Sequence, residues 1–179
     1  MRHTIDDLIP LFNQLFAHTE NTLLVAGDDE PIYLPADTKH AQHRIIFAHG
    51  FFSSALHEIS HWCIAGEARR QQIDYGYWYN PDGRSADQQM AFAKVEAKPQ
   101  ALEWILSRAC GYKFVISLDN LSGEPIDITP FRQAVLAQIK QFQQQGIGAR
   151  AEKLQQALSH YYQQPTDYKS YTVSLQELK

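Results

Sequence analysis

Apolar positions along the chain alternate between helical and strand-like spacing. Leu8, Leu11, Phe12, Leu15 and Phe16 recur at the three- and four-residue intervals of one helix face. Thr4-Ile5-Asp6-Asp7 precedes them as a helix start, with Thr4 as N-cap and an acid three residues on. Thr22-Leu23-Leu24-Val25-Ala26 reads as a strand closed by Gly27-Asp28-Asp29, and Ile32-Tyr33-Leu34 as a short run between Pro31 and Pro35. The strongest strand signal is Arg44 to Ala48, ending at His49-Gly50. Ser53 to Ala65 then predicts a helix capped by Ser53 or Ser54 and closed by Gly66. Ile73 to Tyr79 is aromatic and extended, and Asn80-Pro81-Asp82-Gly83 is a turn.

A long helix is expected from Ala86 to Ala109, kinked or divided at Pro99, where an N–H is missing. Phe114 to Leu118 suggests another short strand. Thr129-Pro130 opens a helix with proline in its first turn, Ala149 to Tyr162 forms a last one, and residues 163–179 read as a C-terminal arm. There is no internal repeat and no domain boundary. The expectation is a single α+β domain over residues 1–179, mainly helical with a small sheet.

Composition narrows the function. The chain has 179 residues, 44% of them hydrophobic, enough for one core. Its 16 basic and 20 acidic side chains give a net charge of −4, which argues against a nucleic-acid partner. Cys63 and Cys110 are the only cysteines and lack a C-x-x-C spacing, so both read as core residues. The first residues carry no signal-peptide pattern, and no apolar run has the length of a membrane span. The expected setting is cytoplasmic, without a membrane partner.

Against this ordinary background one segment carries chemistry. His57-Glu58-Ile59-Ser60-His61 is H-E-x-x-H, which puts two imidazoles on one helix face, a turn apart. Leu56, Ile59, Trp62 and Ile64 surround them with apolar side chains and predict a buried helix rather than a solvated one. A third metal ligand is expected from another element, and Glu96, between Val95 and Ala97, is the chosen carboxylate. Glu103 competes for that place, but reads as helical and solvent-facing.

Glu58 is a candidate catalytic residue, as a general base beside zinc or as an orienting group in an oxygen-activating site. His49, just before the motif helix, is a second catalytic candidate. Asp74, Tyr75, Tyr77, Trp78 and Tyr79 either wall a pocket or belong to the core. The ligand pattern alone leaves several classes open: a zinc metallopeptidase on a zincin-like helix, an iron oxygenase, or a metal-binding module without activity. His18-Thr19-Glu20 is the one H-x-D/E of the kind that 2-oxoglutarate oxygenases use, and the alternating strands of that fold are missing.

Longer stretches bear on this choice. Gly27 to Asp37, Arg44 to Phe51, His57 to Gly66, Gly76 to Tyr79, Pro81 to Arg84, Val95-Glu96, Lys98 to Leu102 and Asp119 to Leu121 run in order through the chain. Together they resemble the bacterial elongation factor P hydroxylases. That resemblance implies hydroxylation of a lysine on translation elongation factor P that already bears a β-lysyl group, the last step of that modification. It implies a two-histidine, one-carboxylate site, with His57 and His61 matching the histidines and Glu96 chosen as the carboxylate. Fe(II) and O₂ would supply the oxidant, with the use of 2-oxoglutarate left open. The family's partner is expected to be acidic, so Arg69, Arg70, Arg84 and Lys98 are candidate docking residues.

Overall fold

The computed structural model describes residues 2–74, 86–117 and 127–178, with side chains of the third helix described from residue 91 onward. Helix α1 spans Ile5–Phe16 and buries Leu8, Phe12 and Phe16, a strict four-residue repeat on one face. Thr4 is its N-cap residue, although its hydroxyl donates to the Asp7 carboxylate (2.8 Å) rather than accepting from a backbone amide.

Three strands form the sheet: β1 Thr22–Ala26, β2 Ile32–Leu34 and β3 His43–Phe47. β3 lies in the middle, parallel to β1 with Leu24 opposite Ile45, and antiparallel to β2 with Tyr33 opposite Ile45. Leu24, Ile45 and Phe47 are buried on one face, against which α1 and the second helix pack. The outer edge of β1 is covered by a side chain: the Leu24 amide donates to Asn13 Oδ1 at 2.8 Å.

From β3 the chain turns through a short 3₁₀ segment, Ala48–Gly50, where His49 (φ 52°) and Gly50 (φ 65°) are both left-handed. Helix α2, Phe52–Ile64, follows. Neither predicted serine caps it: Phe51 is the N-cap residue, and Ser54 Oγ instead accepts from the Ala48 amide (3.1 Å), bracing the turn. Gly66 does not close it either. The helix ends at Ala65, and Arg150 donates to the carbonyls of Trp62, Cys63 and Ala65. A guanidinium thus supplies the donors that a left-handed glycine would have brought.

Helix α3, Ala86–Cys110, is the centre of the molecule. From Glu96 to Ser107 every residue is buried except Lys98, because α2 and the next two helices enclose it. A helix enclosed on all sides shows no amphipathic stripe. Pro99 does not divide it. Val95, whose carbonyl loses its helical donor, is exposed, and the surrounding helices hold the turn in place.

The strand expected at Phe114 to Leu118 is absent among the described residues. Residues 112–117 belong to no helix or strand, and Leu118 lies outside the described residues. In place of a neighbouring strand, the Gln100 side-chain amide accepts from Ser117 N (3.1 Å) and donates to Ser117 O (2.6 Å).

Helices α4, Thr129–Gln145, and α5, Ala149–Tyr161, complete the bundle. Gly146 (φ 96°) and Gly148 (φ 85°) flank the buried Ile147 and turn one helix into the other. Residues 163–178 run back over the bundle, burying Tyr168, Tyr171 and Leu178, and Gln143 donates to the carbonyls of Tyr168 and Tyr171. Among the described residues the architecture is α+β, five α-helices with one small sheet. No helix among the described residues is long and apolar enough to cross a membrane.

Candidate metal centre

The H-E-x-x-H segment lies in α2, with His57 and His61 on the side that meets α3. There the two Nε2 atoms stand 3.1 Å apart. Glu96 reaches them from α3: Oε1 is 3.1 Å from His61 Nε2, and Oε2 is 3.5 Å from His57 Nε2. One donor atom from each of the three residues lies within 4.8 Å of the others. Glu96 is 2% exposed, and no lysine or arginine pairs with it among the described residues. A buried carboxylate whose partners at this point are two imidazole nitrogens fits a divalent first-row metal ion by the chemistry of its donors.

Two further side chains hold this group. His57 Nδ1 lies 2.8 Å from Glu103 Oε2. An ionised carboxylate only accepts, so Nδ1 carries the proton and Nε2 faces His61 and Glu96. Glu103 is therefore not the solvent-facing residue expected from its helical setting: it is 7% exposed and partners a histidine on the neighbouring helix. Its signal was available in the spacing, since Glu96 and Glu103 are seven residues apart, two turns of one face. Gln100, between them, donates to Glu96 Oε2 at 3.4 Å while bonding Ser117.

The electrostatics follow from crowding these groups out of water. Burial opposes a charge on His57, but its hydrogen bond to Glu103 and the charges of Glu103, Glu96 and Glu58 outweigh it and hold the imidazole up at about 10. Burial pushes Glu96 upward, yet the hydrogen bond and charge of His61, with help from His57 and Gln100, bring its carboxyl below the ordinary value. Burial raises Glu58 and Glu103, against the pull of the histidines.

A cavity of about 480 Å³ opens beside this cluster. From α2 and its C-cap it is lined by Glu58, His61, Trp62, Ile64 and Ala65. From α3 come Val95, Lys98 and Pro99, and the sheet adds Tyr33 and Ile45. Arg69, Arg70 and Asp74 line it too, Arg69 bonded to Asp74 at 2.6 Å and Arg70 to Glu20 at 3.0 Å. His49 is not brought to the site. It is exposed at the start of α2, its ring 5.7 Å from that of Phe51. Tyr75, Tyr77, Trp78, Tyr79 and Arg84 lie outside the described residues.

This geometry accompanies a clear relationship. The family model for elongation factor P hydroxylase matches residues 11–172. The chain belongs to that family. A *Haemophilus influenzae* protein named elongation factor P lysine hydroxylase is 53% identical over 167 residues, 93% of this chain and 94% of that one. The match takes in α2, α3 and the cavity walls.

Cys63 and Cys110 take no part in the metal cluster. Both are free, and burial pushes both thiols up to about 12, which suits inert core positions.

Proposed function

We propose that this chain hydroxylates a lysine of translation elongation factor P, as its *Haemophilus influenzae* relative is named to do. The juxtaposition of His57, His61 and Glu96 in a member of this family carries the reading. In the finer form of the proposal, the lysine already bears a β-lysyl group and the resident metal is iron. His57 and His61 would hold that ion from the H-E-x-x-H helix and Glu96 from α3, with the helix arranged like that of the zincins. Iron(II) held by three protein ligands supplies the redox chemistry with O₂ that no side chain offers for an unactivated C–H bond.

The chain's own residues orient and exclude. Glu103 fixes the tautomer of His57, and Gln100 steadies Glu96. Ile45, Trp62, Ile64 and Pro99 give the cavity apolar walls that shed water from an alkyl chain. Arg69, Arg70 and Lys98 line the cavity, and their role is to favour an acidic protein by charge.

The test is mass spectrometry of β-lysylated elongation factor P after incubation with the iron-loaded protein, O₂ and a reductant. A gain of one oxygen on the modified lysine is the expected result. No gain, together with cleavage of a peptide library by the zinc-loaded protein, would replace the proposal with a metallopeptidase.

A further inference from the structure

The cavity does not lie over the whole metal cluster. Glu58, His61, Trp62, Ile64 and the C-cap Ala65 form its α2 wall, and of the three clustered residues His61 is the one that lines it, so the cavity meets the cluster there. His57 lies on the far side, tied to Glu103. A substrate chain in this cavity approaches from the side of His61 and passes Glu58.

Most polar groups on the walls are already engaged. Asp74 is bonded to Arg69, Arg70 to Glu20, and the Tyr33 hydroxyl donates to the Arg70 carbonyl at 2.9 Å. Glu58 is different. It lines the cavity, is partly buried, and has neither a hydrogen bond nor an ion pair among the described residues. An unpaired carboxylate in a largely apolar pocket is costly unless something cationic completes it. Arg69 and Arg70 on the same walls are paired with Asp74 and Glu20, Lys98 is exposed and makes no ion pair with Glu58, and His57 Nδ1 and the two histidine Nε2 atoms face Glu103, Glu96 and each other.

We infer that Glu58 receives an ammonium group of the substrate side chain, fixing how far the chain reaches past His61. This deepens the function proposed above and rests on it for the substrate being an amine-bearing lysine chain. The apolar walls take the methylenes and Glu58 takes the charge, so the pocket selects for chain length and for a cation. Glu58 is in this reading a specificity-determining residue, and the second position of H-E-x-x-H serves substrate binding rather than proton transfer.

The test uses protein loaded with Zn²⁺, which is redox-inert, and n-butylammonium as probe, followed by calorimetry or NMR. E58Q should weaken n-butylammonium binding by about 10- to 100-fold, as expected for losing a charged hydrogen bond. Binding of n-butanol should change little. E58D keeps the charge and should keep most of the affinity; equal loss in E58D and E58Q would assign the effect to packing and overturn the inference. Wild-type affinity in E58Q would overturn it as well. With elongation factor P as substrate, E58Q should raise KM more than it lowers kcat, and the reverse split would make Glu58 a proton-transfer group. Glu58-dependent n-butylammonium binding without hydroxylation by the wild type would sink the proposed function and leave this assignment standing. Hydroxylation with n-butylammonium binding indifferent to E58Q would do the opposite.

Discussion

The 2.8 Å bond between His57 Nδ1 and Glu103 Oε2 decides which nitrogen of His57 faces Glu96. It joins α2 to α3 and gives a histidine proposed as a metal ligand its partner. Glu103→Ala should lower metal affinity by about 10- to 100-fold while the far-ultraviolet spectrum stays native. Competition against a chelator of known affinity measures the first, and unchanged affinity would remove Glu103 from any role at the site.

The three proposed ligands differ from Glu103 in kind. His57→Ala, His61→Ala and Glu96→Ala should each abolish metal retention through gel filtration, measured by elemental analysis. Metal retained in both histidine variants would show the assignment to be wrong. Retention in Glu96→Ala alone would move the carboxylate out of contact with the ion.

Protons and metal compete for the same atoms. In protein stripped of metal, His57 is held up at about 10, above its ordinary 6.5, so an incoming ion must displace a proton. Metal affinity should therefore rise with pH across the range from about 7 to 10, and calorimetry in buffers of different ionisation enthalpy should detect proton release. The same shift fixes the sign for stability. A raised histidine stabilises the stripped protein fully below 6.5, and that contribution is lost as pH climbs through about 10. A metal-free melting temperature that rises over this interval would contradict it.

Arg150 is expected to matter for the fold. Its guanidinium bonds the last carbonyls of α2 and lies 4.7 Å from the centre of the Trp62 ring. Arg150→Met should cost about 1–3 kcal/mol, because several carbonyls lose a charged donor. Urea unfolding would read this directly, and a loss below the error of the midpoint would mean that water replaces the guanidinium without cost.

The sequence announces the pair on α2 because H-E-x-x-H needs only one helix to be meaningful. Glu96 was legible for a related reason: a carboxylate between apolar neighbours stands out. Glu103 was harder to read: its seven-residue spacing from Glu96 puts both on one face, but a glutamate in a helix ordinarily faces solvent, and the burial of α3 on all sides leaves no stripe to show which face points inward. The alternation of Phe114 and Ile116 resembled a strand for a sound reason. At Ser117 the backbone does have a ladder-like partner, but the partner is the Gln100 side chain, which no strand pattern reveals. The end of α2 likewise depends on Arg150, 84 residues past Gly66, where local cap signals hold no information.

Both carboxylates and both histidines sit on helices that are themselves the core. An ion bound by His57, His61 and Glu96 would cross-link α2 to α3 like a removable rivet. Its release would require those packed helices to separate or their side chains to rotate against a closed interior. Exchange of the ion should therefore be slow, and its loss should hasten unfolding of the whole domain rather than the loosening of a loop.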